Sequence, residues 1–308
     1  MIWGYPDIPS GFCILMPTVP NDRTAHAAPS MWSVRPAPPL DAYIDRIWGM
    51  SYHAQTPVAL PRILPGTGAE MFVHFGQPFS AVTDTGAIDV LPRNHLLCVR
   101  NVCLDLLPSS NLDFIAVRFK SGCILRFLDQ SLGECFDHPL SLDDAMGHAG
   151  TVLMDRLHGV SGRDRRVALL EEWLKNRLQR RAWFDPRMAW ATRELYYTSG
   201  GIQALADRMG LGRRQLERRF KAQEGLSPVA FRQLARFQRT AKTLLLDPMQ
   251  PLIQTGLDFG FADQAHMVRE FHAIAGRTPE RLRDEMRARL TFYCRSSSHQ
   301  RIAASPTA

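Results

Sequence analysis

Ile202-Gln-Ala-Leu-Ala-Asp-Arg-Met-Gly210-Leu-Gly-Arg-Arg-Gln-Leu-Glu-Arg218-Arg-Phe220, followed by Gly225-Leu-Ser-Pro228, is echoed about 50 residues further on. The second copy is Leu252-Ile-Gln-Thr-Gly-Leu-Asp-Phe-Gly260-Phe-Ala-Asp-Gln-Ala-His-Met-Val-Arg269-Glu-Phe271, followed by Gly276-Arg-Thr-Pro279. Gly210 pairs with Gly260, Arg218 with Arg269, Phe220 with Phe271 and Pro228 with Pro279, and the second copy carries one extra residue after its glycine. A unit that recurs with its turn glycine, arginine, aromatic and cap-proline in order is a repeated supersecondary element.

Each copy reads as helix, tight turn, helix. Ile202, Leu205, Ala206 and Met209 fall at i, i+3, i+4 and i+7, one apolar helix face. Gly210 follows, where a left-handed residue ends a helix. Leu216 and Phe220 then form the buried side of a second helix, leaving Arg213, Arg214, Glu217, Arg218 and Lys221 outward. In the second copy Met267 and Phe271 take the buried part, with Gln264, Ala265, His266 and Arg269 outside. Arginine pairs bidentately with guanine and glutamine with adenine at major-groove edges, so the pattern predicts helix-turn-helix units that read DNA.

Between the copies, Ser227-Pro228 is a capping hydroxyl with proline at the first helical position. Apolar Phe231, Leu234, Phe237, Ala241 and Leu245 recur at helical spacing until Asp247-Pro248. At ~1.5 Å per residue this helix spans roughly 28 Å, and successive major-groove faces lie about 34 Å apart. One chain is therefore expected to place two recognition helices in adjacent grooves of one duplex. Charge follows the same division. Residues 200–290 hold 16 Lys+Arg against 10 Asp+Glu, whereas residues 1–199 hold 19 against 20. The basicity sits on the repeat, where phosphate neutralisation needs it.

Residues 200–290 closely resemble the double helix-turn-helix domain of AraC/XylS-type bacterial transcription regulators. The likeness is carried by Leu211-Gly-Arg-Arg-Gln-Leu-Glu-Arg-Arg-Phe-Lys221, Gly225-Leu-Ser-Pro228, and residues 260–271 with Gly276-Arg-Thr-Pro279. It implies that Arg213, Arg214, Glu217 and Arg218 of the first recognition helix approach bases. It implies the same for Gln264, Ala265, His266 and Arg269 of the second. It further implies a sequence-specific transcription regulator, cytoplasmic and acting on the bacterial nucleoid, with RNA polymerase a partner if it activates. Gly212 stands where the family usually has a capping serine, and Gly256 where it has a packing alanine. Asp263 sits near the DNA-facing start of the second reading helix. Gly256 costs roughly 0.8–1 kcal/mol of helix propensity against alanine, so the second unit is expected to be the looser reader.

The chain's 308 residues exceed one typical domain. Residues 1–33, with Pro6, Pro9, Pro17, Pro20 and Pro29, read as an irregular leader without a secretory signal. From residue 34 to 119, short apolar or alternating runs separated by turn signals predict a small barrel or sandwich. Helices are expected at 123–130, 141–158 and 163–181. The last of these, with Val167, Leu170, Leu174 and Leu178, packs on its own domain or offers a dimer surface. The expected fold class is therefore α+β. A β-rich sensor domain with flanking helices (34–184) precedes an all-α domain of two helix-turn-helix units on a long helix (185–290), and 291–308 form a flexible tail. AraC-like regulators commonly carry a cupin-like sensor in this place. Ile63-Leu-Pro-Gly66 and Val117-Arg-Phe-Lys-Ser-Gly-Cys123 resemble one such sensor family, which implies an effector-binding role without naming the effector.

Catalytic signals are missing. Cysteines 13, 98, 103, 123, 135 and 294 form no Cys-x-x-Cys pair and are expected to be reduced thiols. His53 and His74 can approach in a barrel, but no His and carboxylate set stands at metal spacing. There is no Gly-x-Ser-x-Gly elbow, no phosphate loop and no 18-residue apolar run. The expectation is a non-enzyme with no cofactor, metal site or membrane span. Double-stranded DNA is its partner, with a small-molecule effector and a homodimer left open. The competing class is a redox or DNA-damage sensor using Cys98 or Cys103 on the same DNA-binding module.

Overall fold

The computed structural model describes residues 28–82, 86–128, 137–180, 185–198, 200–247 and 249–287. Most of the leader, the tail from residue 291, and Cys13, Cys135 and Cys294 lie outside these residues. Among the described residues, the N-terminal unit holds ten strands in two antiparallel sheets. Six strands run in the order β1 (Ser30–Val34), β2 (Ile44–Val58), β9 (Ser109–Phe119), β4 (Glu70–His74), β7 (Asn94–Leu97), β10 (Leu140–Ser141). Four run in the order β3 (Arg62–Ile63), β8 (Leu104–Leu106), β5 (Ser80–Val82), β6 (Ile88–Val90). Among the described residues the two ladders do not join, so the unit is an open sandwich and not a closed barrel.

The period-two alternation of β9 explains why the larger sheet has two cores. Leu112, Phe114 and Ala116 face the smaller sheet, with Trp48, Phe72, Phe79 and Leu106. Ile115, Val117 and Phe119 face the opposite way, under helices α1 (Leu142–Met146), α2 (His148–His158) and α3 (Arg163–Arg180). The sheet claims the end of the stretch read as leader, because β1 pairs residue by residue with β2 from Ser30↔Ser51 to Val34↔Ile47. Gly49 makes that pairing possible: a Cβ there would lie 2.5 Å from the Phe114 carbonyl oxygen and from the Trp32 ring. The expected helix over 141–158 is two helices, broken at Gly147 with φ +57°. Residues 124–126 form a 3-10 turn where a helix over 123–130 was expected. Of the two readings of the 163–181 helix, the structure shows packing on its own domain. Leu170, Trp173 and Leu174 of α3 are buried there, and Arg177 donates twice to the Phe127 carbonyl, at 3.1 and 2.9 Å.

The C-terminal unit is helical throughout its described residues: α4 (Pro186–Tyr197), α5 (Ile202–Arg208), α6 (Arg213–Glu224), α7 (Pro228–Leu246), α8 (Leu252–Asp258), α9 (Gln264–Ala275) and α10 (Pro279–Arg287). Pro186 starts α4, behind an Asp185 cap that accepts from the Arg187 N–H. Helix α7 is the spine. Its Phe231 ring meets Phe220 of α6 edge-on at 5.3 Å, and its Phe237 ring meets Phe271 of α9 at 4.7 Å. All four rings are fully buried, and aromatic pairs of this geometry add about 0.5–1.5 kcal/mol beyond their burial. One rigid helix thus carries both repeats.

Candidate nucleic-acid interface

The two repeats fold alike. In each, a glycine at positive φ (Gly210, +63°; Gly260, +79°) reverses the chain. The next residue's N–H reaches back to the first helix: Leu211 to the Ala206 carbonyl and Phe261 to that of Gly256, both 3.0 Å. Each recognition helix ends on a left-handed glycine, Gly225 or Gly276. Each following helix starts on a hydroxyl cap, Ser227 bonding the Ala230 N–H and Thr278 that of Arg281. The extra residue of the second copy, Ala262, sits in the turn. It aligns Gly212 with Asp263 as the two N-caps, and so Arg213 with Gln264, Arg214 with Ala265 and Arg218 with Arg269.

On α6, Leu216 and Phe220 are buried while Arg213, Arg214, Arg218 and Arg219 are exposed and Glu217 is half-buried. Arg213 and Glu217 pair at 2.9 Å across one helical turn. On α9, Met267 and Phe271 are buried while Gln264, Ala265 and Arg269 are exposed. His266 is half-buried and tied inward. Its Nδ1 accepts from the Ala262 N–H at 3.3 Å, and its Nε2 lies 3.5 Å from Glu270 Oε2. Its ring is edge-on to Phe261 at 5.5 Å. The structure therefore brings seven of the eight sequence-derived residues to two outward faces, with His266 on the margin of the second. Asp263 is an N-cap, its carboxylate accepting from the His266 N–H. The sequence reading missed Arg236, which joins α7 to α9. It sits in the linker helix, where a lone arginine carries no signal.

Among the described residues, no three His, Cys, Asp or Glu side chains gather as a metal site, and no helix is long and apolar enough to cross a membrane. His74 meets His95, not His53: their rings stack at 5.5 Å between the sheets, ringed by Phe72, Phe79 and Phe114. Burial holds both imidazoles neutral, pushed down to about 3 for His74 and about 4 for His95. His95 Nδ1 bonds the Pro92 carbonyl and the His74 ring meets the Gln77 backbone, whereas among the described residues Nε2 of His95 has no partner of good geometry. Cys98 and Cys103 share no strand, since β7 ends at Leu97 and β8 begins at Leu104. Burial pushes the Cys103 thiol up, and the Cys123 thiol up to about 12, the reverse of what a reactive thiolate requires.

Residues 205–285 match the model of a helix-turn-helix domain family, and residues 33–141 that of a domain of unknown function, DUF6597. No curated protein matches the chain. Among solved structures, the chain is similar to ToxT from Vibrio cholerae, with 11% identity over 78% of this chain and 98% of that one and a TM-score of 0.43. It is also similar to the C-terminal domain of AraT, a response regulator from Geobacillus stearothermophilus, with 16% identity over 40% of this chain and 100% of that one and a TM-score of 0.33. With two matched helix-turn-helix units on one spine helix, the chain carries an AraC-type helix-turn-helix domain over residues 205–285 and a DUF6597 domain over residues 33–141.

Proposed function

We propose that the chain binds one DNA duplex through two adjacent major grooves, read by Arg213, Arg214, Glu217 and Arg218 on α6 and by Gln264, Ala265, His266 and Arg269 on α9. The observation that supports this is the pair of matched, exposed reading faces anchored through Phe220 and Phe271 to one helix. Footprinting on a selected operator tests it. Two protected groove segments, one helical turn apart (about 10 bp), are expected from a single chain. Protection of one segment alone sinks the two-groove reading.

The N-terminal unit is the responsive part in this reading. Polar groups lie buried among apolar side chains between its sheets: the His74–His95 pair, and Glu70, which accepts from Trp48 Nε1 at 2.6 Å and from Arg118 at 3.0 and 2.8 Å. A polar organic effector able to hydrogen-bond the buried His74–His95 pair is the class this chemistry favours. Thermal-shift screening of wild type against His74→Phe is the check. Ligands that stabilise both equally bind elsewhere. If it activates, RNA polymerase is a further partner.

A further inference from the structure

The N-terminal unit touches both helix-turn-helix units and the spine between them. Leu64 and Val99 belong to the apolar core of the helical unit, 1% and 3% exposed. At the spine, Gln238 Oε1 accepts from the Thr67 N–H at 3.1 Å and from the Thr67 hydroxyl at 3.0 Å. Thr67 is 1% exposed and also meets the Ser121 hydroxyl at 2.9 Å. Gly66 lets the amide in, since a Cβ there would lie 2.9 Å from Gln238 Nε2. At the first unit, Gly122 (φ +74°) presses against Thr192 and Glu224, a Cβ there falling 2.6 Å from Thr192 Cγ2 and 3.0 Å from Glu224 Oε1. At the second, Arg62 of β3 reaches Glu285 of α10 at 3.9 Å.

These contacts grow out of one ladder. Strands β4 and β9 pair Glu70 with Arg118 inside the sandwich. Three residues before Glu70 stands Thr67, and three after Arg118 stands Ser121, hydrogen-bonded to each other against the spine. The chain leaves the sandwich interior at the point where it grips the spine. The docked arrangement also leaves both reading faces open, because Arg213, Arg214, Arg218, Gln264 and Arg269 are exposed with the N-terminal unit in place. Occlusion is therefore not what this docking does.

We infer that Gln238 is an interdomain latch, through which the N-terminal unit holds the two helix-turn-helix units in one mutual orientation. A body fixed to α6, α7 and α10 together restrains the angle between α6 and α9. Restraint of that angle changes the cost of engaging two grooves at once without changing a single base contact. The positioning role falls to the Gln238 carbonyl oxygen, which takes both bonds from Thr67.

The test uses the full-length chain without DNA. Spin labels introduced site-specifically through a non-natural amino acid at the exposed positions Arg219 on α6 and His272 on α9 report the distance distribution between the two helices. Wild type is expected to give one narrow distribution. Gln238→Ala broadens it, and Gln238→Glu, which keeps acceptor oxygens toward Thr67, restores it. Gly66→Val, which wedges the contact from the other side, broadens it as well and guards against a Gln238 variant that fails to fold. An unchanged distribution in both Gln238→Ala and Gly66→Val overturns the latch, as does equal broadening by Gln238→Ala and Gln238→Glu.

Discussion

Glu270 of the second recognition helix is gripped at both carboxylate oxygens by Arg236 of the spine helix, one of the bonds measuring 3.0 Å. The same guanidinium donates to the Gly260 carbonyl at 3.1 Å and lies 4.5 Å over the Phe261 ring. One side chain thus joins spine, turn and reading helix. The Glu270 side chain is 8% exposed, so removing its cation leaves a carboxylate in a poorly solvated place. Fully buried pairs cost about 3–5 kcal/mol when one partner is lost, and this partly exposed pair should cost less. Arg236→Met, which keeps the apolar stem, is expected to destabilise the helical unit and to erase the second footprint segment before the first. Denaturant unfolding and footprinting of the same variant check this. An intact second segment would mean that Phe237 and Phe271 position α9 by themselves.

The two glycines that depart from the family pattern lend themselves to gain-of-stability tests. At Gly256 a Cβ would meet Met267 Sδ at 3.5 Å and Cε at 3.7 Å, ordinary van der Waals contact. Gly256→Ala is expected to stabilise by roughly 0.8–1 kcal/mol through helix propensity. Gly212 caps α6 at φ −68° with open space around its missing Cβ. Gly212→Ser adds an oxygen for the orphan amides of the first turn, which is worth a few tenths of a kcal/mol over glycine. Calorimetry should show both melting later than wild type. A lower melting temperature for Gly256→Ala would show that Met267 cannot yield.

What the sequence displayed best was local and repeated. Gly210, Gly260, Phe220 and Phe271 stand at fixed offsets in two copies, so the turns, the buried stripes and the outward faces could all be read without a fold. The role of Asp263 could not. In the sequence it is only a charge near the DNA-facing start of the second reading helix, and only the backbone geometry makes it the cap of α9. Strand β2, from Ile44 to Val58, was invisible as one element because both of its faces are partly buried and alternation fades along it. Long-range pairings carry no sequence signal at all. Arg236–Glu270, Thr67–Gln238 and His74–His95 each depend on where distant segments meet.

Glu224 is expected to give the helical unit a pH dependence near neutrality. It is fully buried at the end of α6, accepting from Thr192 Oγ1 at 2.9 Å and Gln223 Nε2 at 3.1 Å, with Oε2 unpartnered. Burial raises its carboxyl to about 7 from an ordinary 4.5. The titratable group facing it from the N-terminal unit is Cys123, itself held neutral, with Lys120 and Arg126 beyond. A raised carboxyl favours the folded state fully below pH 4.5, and that contribution is lost as pH climbs through 7. At 1.36 kcal/mol per unit, the loss approaches about 3 kcal/mol. His74 and His95 act oppositely, their contribution failing as pH falls below 6.5. The difference between wild type and Glu224→Gln therefore isolates the carboxyl. Unfolding at pH 5 and pH 8 should show the wild type losing stability relative to the glutamine variant. Parallel profiles would mean that Glu224 stays ionised in the folded chain.

At the proposed DNA face, the expectation concerns Arg218 and Arg269. Each stands two residues before a buried phenylalanine, Phe220 or Phe271, so anchoring the ring aims the guanidinium outward. A bidentate arginine–guanine contact discriminates by about 1–3 kcal/mol, or roughly 5- to 150-fold in affinity. Both alanine variants are expected to lose operator binding within that range, and Arg218→Ala to lose more. The reason lies in the neighbours. Helix α6 adds exposed Arg213 and Arg214, whereas α9 offers Gln264 and Ala265 at the matching places, with His266 turned toward Glu270. Measuring each variant on operator and on random duplex across a salt series separates the possible roles. A base contact weakens operator binding selectively and leaves the salt slope unchanged. A phosphate contact weakens both duplexes alike and lowers the slope by about one unit. A larger selective loss for Arg269→Ala would reverse the ranking and make α9 the principal reader.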